Sequence, residues 1–110
     1  MKITEDRKGE MLIYRLKGDV NLSNSPVLRK AFESCTQGDV KKVIVDFKEV
    51  PYIDSSGLAT LIELLQRLKK IGGNLRICNL DEKVKGIFEV TRLFKLFKIC
   101  DNEDMAVEDF

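Results

Sequence analysis

The residues of this chain best suited to chemistry stand together at positions 54–57, Asp-Ser-Ser-Gly. A carboxylate beside two hydroxyls can cap a helix, present a serine for phosphorylation or supply a nucleophile. Nucleophilic catalysis needs a base, and the chain has no histidine, which excludes a Ser/His/Asp triad and a histidine metal site. The glycine that precedes the serine of a hydrolase elbow is missing, as is any glycine-rich phosphate cradle. We therefore expect no enzymatic activity and no cofactor.

This segment lies between a predicted strand and a predicted helix. The β-branched and aromatic run at 43–47 predicts a buried strand over about residues 41–47. Leucines and isoleucine at helical spacing predict an amphipathic helix over about residues 56–70. Ligands of open α/β sheets gather at the carboxyl ends of the strands, where helix N-termini converge. We expect Asp54 and Ser55 to lie on that edge.

The rest of the chain predicts a mixed α/β sheet. Its other predicted elements are, in order, an N-terminal hairpin that turns at Gly9, a helix that begins near Pro26 and ends at Gly38, a strand over 75–78, a helix capped by Asp81, a short strand over 96–99 and a final amphipathic helix within the acidic residues 101–110. Strand-helix-strand units require parallel crossovers, so the helices should pack against a mixed sheet that starts with the hairpin.

Four segments, at 15–20, 54–57, 72–75 and 84–99, together resemble the STAS domain, and most closely the bacterial anti-sigma factor antagonists. The resemblance covers nearly the whole chain. It implies a STAS-like α/β sandwich, formed by a single domain over residues 1–110. It also implies that Ser55 accepts a phosphoryl group from an anti-sigma factor with serine kinase activity. The unphosphorylated form would bind that partner and release a sigma factor, and a serine phosphatase would restore this form.

The resemblance also implies two partner-facing segments on one edge. One is the loop formed by Asn21, Leu22, Ser23 and Asn24; the other surrounds Ser55 and comprises Asp54, Ser56, Gly57 and Leu58. In the second segment, Gly57 would let a partner approach the backbone, and Ser56 could cap the helix. Relatives often carry aspartate where this chain has Asn21, so we expect charge recognition to differ there. The alternative interpretation is a STAS scaffold or small-ligand-sensing module.

Composition excludes two classes of partner, nucleic acids and membranes. The chain has 19 basic and 18 acidic residues and a net charge of +1, so it lacks the field that attracts nucleic acid, and we expect no direct nucleic acid binding. It shows neither a signal-peptide core nor a segment of membrane-spanning length, which predicts a cytoplasmic protein without membrane contact. Cys35, Cys78 and Cys100 stand far apart in sequence and are predicted to be buried free thiols.

Overall fold

The computed structural model describes residues 1–38 and 40–110, and this part of the chain forms one five-stranded sheet and four α-helices. The elements are β1 (Lys2–Lys8), β2 (Met11–Lys17), α1 (Ser25–Thr36), β3 (Lys42–Glu49), α2 (Ser55–Lys70), β4 (Asn74–Cys78), α3 (Glu82–Val90), β5 (Lys98–Cys100) and α4 (Glu103–Val107), with a single 3₁₀ turn at Leu93–Lys95. None of the described helices is long and apolar enough to cross a bilayer.

The strands lie side by side in sequence order, β1-β2-β3-β4-β5. The hairpin pairs β1 with β2 in antiparallel fashion, and its turn uses the positive φ of Gly9 (+60°). The other three pairings are parallel. The carboxyl ends of β2 to β5 therefore share one edge of the sheet, and the loops that follow β2 and β3 both leave from it. The predicted mixed α/β fold is confirmed.

Both faces of the sheet are covered, which explains the continuous apolar run of β3. On one face, Val45 packs in a core with Leu28 of α1, Leu61 of α2 and Phe88 of α3. On the other face, a smaller cluster lies beneath α4; its buried members are Ile13, Ile44, Cys78, Cys100 and Ala106. A strand buried on both faces needs apolar residues at successive positions rather than at alternate ones.

The last strand begins later than the sequence predicted. The stretch predicted as a strand over 96–99 is irregular at first, and β5 spans only Lys98–Cys100. The apolar residues there serve another purpose, because Phe97 is buried with its ring centroid 6.0 Å from that of Phe88. The prediction for the thiols is confirmed, since Cys35, Cys78 and Cys100 are all free and buried.

Candidate functional site

Asp54 is the N-cap of α2. Its Oδ1 accepts hydrogen bonds from the backbone N–H groups of Ser56 (3.0 Å) and Gly57 (3.1 Å) and from the Ser56 hydroxyl (2.6 Å). Its carbonyl oxygen accepts from the N–H of Leu58 at 3.0 Å. The hydrogen bond from the Ser56 hydroxyl lowers the pKa of Asp54 from its ordinary value; burial opposes this, and the backbone N–H donors reinforce it. Asp54 is therefore a carboxylate at neutral pH.

Ser56 does not cap the helix, so this prediction is wrong. Its hydroxyl donates to the Asp54 carboxylate, and its carbonyl oxygen accepts from the Thr60 hydroxyl at 2.9 Å. An aspartate one residue before the helix offers an ionised acceptor, and a backbone N–H bonds more strongly to it than to a neutral hydroxyl oxygen. The capping position therefore belongs to Asp54, and Ser56 orients that carboxylate.

Ser55 is the first residue of α2, and its side chain is exposed. Within residues 1–38 and 40–110, no group forms a hydrogen bond with its hydroxyl. The adjacent first-turn N–H groups of Ser56 and Gly57 are already bonded to Asp54. A phosphoryl group on Ser55 would lie at the positive end of the helix dipole, but it would have to compete with Asp54 for those donors.

The loop 19–24 and the start of α2 are joined by a short bridge of hydrogen bonds. Val20 pairs in parallel with Ile53: its N–H donates to the Tyr52 carbonyl at 3.0 Å, and its carbonyl accepts from the Asp54 N–H at 3.0 Å. One step further on, the Leu22 N–H donates to Asp54 Oδ2 at 3.0 Å. We call the combination of residues 19–24 and 52–58 the Ser55 edge.

Two asparagine side chains fold the loop onto itself. Asn21 Oδ1 accepts from the N–H (3.0 Å) and the hydroxyl (2.6 Å) of Ser23. Asn24 Oδ1 accepts from the N–H of Asn21 at 2.9 Å, and its amide donates to the Asp19 carbonyl at 2.8 Å. Asn24 precedes α1 but gives it no side-chain cap. The shape of the loop is therefore fixed by its own polar groups, as in Asx-type turns.

The Ser55 edge also exposes apolar surface. Leu22, at the tip of the loop, is 75% exposed, and Tyr52, three residues before Ser55, is 39% exposed. The Lys83 ammonium, from the first turn of α3, lies 5.4 Å from the centroid of the Tyr52 ring. Ser55 thus shares its edge with two exposed hydrophobic side chains and one cation, an arrangement suited to contact with another protein.

Comparison with known proteins assigns this chain to a family. The model of the STAS domain matches residues 2–106. This chain belongs to the STAS domain family. The anti-sigma-B factor antagonist of Bacillus subtilis (strain 168) is 30% identical over 94 residues, which cover 84% of each chain. Among STAS domain proteins, the chain therefore belongs with the anti-sigma factor antagonists.

Solved structures of such antagonists share this STAS fold. The anti-sigma factor antagonist from Mycobacterium paratuberculosis superposes with a TM-score of 0.88 at 18% identity, over 96% of this chain and 90% of that one. The Bacillus antagonist SpoIIAA has been solved unphosphorylated (TM-score 0.77) and phosphorylated (TM-score 0.75). Each is 19% identical to this chain; the two comparisons cover 98% and 97% of this chain and 96% and 97% of the respective SpoIIAA chain. The fold is therefore compatible with a phosphorylated state in at least one relative.

The structure of this STAS domain gives Gly57 and Leu58 a different position from the one predicted. Both are buried. A Cβ on Gly57 would lie 2.6 Å from Ile53 Cγ1 and 2.7 Å from Val20 Cγ1. The glycine thus makes room for the core beneath the edge, and the expectation that it opens the backbone to a partner is wrong. Leu58 is likewise buried, and it packs in the core rather than on the surface of the Ser55 edge.

Sequence reasoning missed Tyr52 of this edge and Lys83, which contacts it from α3. Tyr52 carried a weak signal, because an aromatic residue directly after Pro51 lies outside the predicted strand and is not needed for its core. Lys83 carried none, since its contact with Tyr52 depends on α3 folding back beside the β3–α2 loop. The remaining predicted residues, from Asn21 to Asn24 and from Asp54 to Ser56, do come together on one edge.

Proposed function

We propose that this STAS domain protein is a partner-switching antagonist of an anti-sigma factor with serine kinase activity. In the unphosphorylated form it binds that partner through the Ser55 edge, and a sigma factor is released. Phosphorylation of Ser55 by the partner ends the binding, and a serine phosphatase restores it. We place this cycle in the cytoplasm, where ATP and the transcription machinery are found.

The observation that carries this proposal is the exposure of Ser55 on an edge that also exposes Leu22 and Tyr52. Neighbouring polar groups on the edge are bonded within the fold: Ser56 to Asp54, and Ser23 to Asn21. The Ser55 hydroxyl has no such partner in the described part of the chain, and its residue is exposed. A kinase can therefore reach it without opening the domain.

Electrostatics explains how one phosphate would end the binding. A phosphoserine carries about −1.5 to −2 charges at neutral pH. Beside it, the ionised Asp54 already occupies the helix N–H donors, so the fold neutralises little of the new charge. Docking would then bury this charge beneath a partner surface that covers Leu22 and Tyr52 and that fits a neutral hydroxyl. A 100-fold loss of affinity requires only about 2.7 kcal/mol, which the desolvation of a doubly charged group can supply.

The first test is chemical. The protein is incubated with ATP, Mg²⁺ and soluble extract of its host, and peptide mass spectrometry then locates any added phosphate. We expect a single phosphate on Ser55, absent in Ser55→Ala and retained in Ser34→Ala, an exposed serine on α1. Two outcomes would contradict the proposed switch: phosphate on another residue, or no phosphate while a control substrate is phosphorylated. Either outcome would favour a scaffold or sensing role.

The second test measures binding to the purified anti-sigma factor by calorimetry. Ser55→Ala should bind like the wild type, and Ser55→Asp should bind about 100-fold more weakly. Ser34→Asp introduces the same charge on a remote exposed surface and should leave the affinity unchanged. Equal affinities for Ser55→Asp and Ser34→Asp would show that charge at the Ser55 edge does not control the contact.

A further inference from the structure

A second exposed apolar surface lies on α3 and the residues that follow it. Val90 is 87% exposed, Phe94 46% and Leu96 50%. Two exposed cations, Arg92 and Lys95, alternate with them, and neither forms an ion pair within the described ranges 1–38 and 40–110. We call these five residues the basic patch. Contiguous exposed apolar side chains framed by charge are typical of an interaction surface.

The basic patch is separate from the Ser55 edge. Helix α3 begins near the carboxyl end of β4, where Lys83 meets Tyr52, and then runs back along the sheet. Its last residue, Val90, and the 3₁₀ turn that follows therefore lie towards the opposite end of the strands, where β5 begins parallel to β4. A protein bound at Ser55 would leave the basic patch free.

The chain also carries the chemical complement of this surface. Exposed Met105 (48%) is accompanied by the exposed carboxylates of Asp101, Asp104, Glu108 and Asp109, and none of these four is in an ion pair among the residues described. We call these five residues the acidic patch. A groove of about 320 Å³ separates α4 from β5, and Lys98, Met105 and Glu108 are among the residues that line it. The acidic patch thus lies beside β5, the strand that follows the basic patch in the chain.

The two patches flank β5 on opposite faces of the sheet. Helix α3 and the 3₁₀ turn belong to the face that α1 and α2 cover, whereas α4 covers the other face. A twofold axis parallel to β5, just outside this edge, exchanges the two faces. It would bring the basic patch of one copy against the acidic patch of a second copy, twice in the same interface, as an isologous contact requires.

We propose that two copies of this chain form a twofold dimer through these patches. Phe94 and Leu96 of one copy would pack near Met105 of the other, with the cations and carboxylates arranged around them. The chain itself carries the acidic and apolar surface that complements its basic patch, which favours a second copy over an unrelated acidic partner. Because an axis parallel to the strands preserves their direction, both Ser55 edges would face the same side and could bind a two-site partner with avidity.

The test uses two charge-reversed proteins. The basic-patch variant carries Arg92→Glu and Lys95→Glu; the acidic-patch variant carries Asp101→Lys and Glu108→Lys. Light scattering after gel filtration, over a range of concentrations, should give the mass of a dimer for the wild type and of a monomer for each variant alone. An equimolar mixture should recover the dimer mass, because each reversed patch then meets an opposite charge in both halves of the interface.

Controls separate this result from changes in folding or in the switch. Lys30→Glu with Lys69→Glu makes the same change of charge on exposed positions of α1 and α2 and should remain dimeric, as should Ser55→Asp. Circular dichroism checks that every variant is folded. A wild type that stays monomeric up to millimolar concentration, masses that grow beyond a dimer, or a mixture that stays monomeric would each overturn the proposal.

Discussion

The backbone N–H of Leu22 donates to Asp54 Oδ2 at 3.0 Å, while Asp54 Oδ1 holds the first turn of α2. One carboxylate therefore fixes both the loop 19–24 and the helix that begins with Ser55. We expect Asp54→Ala to lower the urea midpoint of unfolding and to raise hydrogen exchange at residues 22 and 56–57, because their N–H groups lose an acceptor. Asp19→Ala, which removes an exposed carboxylate from the same loop, should change neither.

The Asp54 carboxylate should also make the free energy of unfolding depend on pH in the acid range. The pKa of Asp54 is lower in the folded protein than its ordinary value, so its contribution is present above that ordinary value and is lost as the pH falls through the folded pKa. Asp54→Asn should flatten this part of the curve of unfolding free energy against pH relative to the wild type. Identical slopes of this curve at acid pH for Asp54→Asn and the wild type would contradict a lowered pKa of Asp54 in the folded protein.

Gly57 and Gly86 offer a matched pair of substitutions within helices. At Gly57 an added methyl would lie 2.6 Å from Ile53 Cγ1 and 2.7 Å from Val20 Cγ1, whereas at Gly86 nothing lies within 4 Å. We expect Gly57→Ala to destabilise the domain by about 1–3 kcal/mol through overpacking. Gly86→Ala should stabilise it by up to about 1 kcal/mol through helix propensity. Equilibrium unfolding in urea measures both changes. An unchanged free energy of unfolding for Gly57→Ala would show that the core can accommodate the added methyl group.

The strand–loop–helix unit around Ser55 was predictable because its signals are local. The apolar run of β3 and the leucine spacing of α2 are complete within 30 residues, and they place Ser55 at a helix start without reference to the rest of the chain. The boundary was one residue off, because Asp54 is a better acceptor for the first-turn N–H groups than Ser56.

The features that sequence reasoning missed are contacts between distant segments. The bond from Leu22 to Asp54 spans 32 residues, and the approach of Lys83 to Tyr52 depends on the path of α3. Periodicity fixes which face of an element is apolar, but not which loop lies beside it. Gly57 was misinterpreted for the same reason, since Val20, which fills the space over it, comes from another strand end.

Leu22 and Tyr52 should carry much of the proposed partner contact. Leu22 is 75% exposed and Tyr52 39%, and central hydrophobic side chains of an interface often contribute about 2 kcal/mol or more. Tyr52→Ala and Leu22→Ala should each weaken binding to the anti-sigma factor at least about tenfold by calorimetry, with circular dichroism showing that each variant is folded. Ile71→Ala, which truncates an exposed side chain at the far end of α2 from Ser55, is the control. Losses no larger than that of Ile71→Ala would remove both residues from the contact.

Cys78 should be unreactive in the folded domain. Burial, aided by the negative charge of Asp46, raises the pKa of Cys78 from its ordinary value of 9.0 to about 12. At pH 8 its thiolate is therefore scarce, and we expect a disulfide reagent to label Cys78 only at the rate of unfolding. Urea should make the labelling fast. If peptide mapping found Cys78 labelled in the native protein as quickly as in urea, the burial beneath α4 would be contradicted.

The same pKa shift predicts an alkaline loss of stability. Because the folded pKa of Cys78 is raised, its neutral thiol contributes fully below about pH 9, and this contribution declines as the pH rises from 9.0 towards about 12, where the unfolded chain gains by ionising first. Cys78→Ala should lower stability at pH 7 by leaving a small cavity, yet lose stability less steeply above pH 9 than the wild type does. Urea titrations at several pH values separate the two effects, since the cavity shifts the whole curve and the thiol changes its slope.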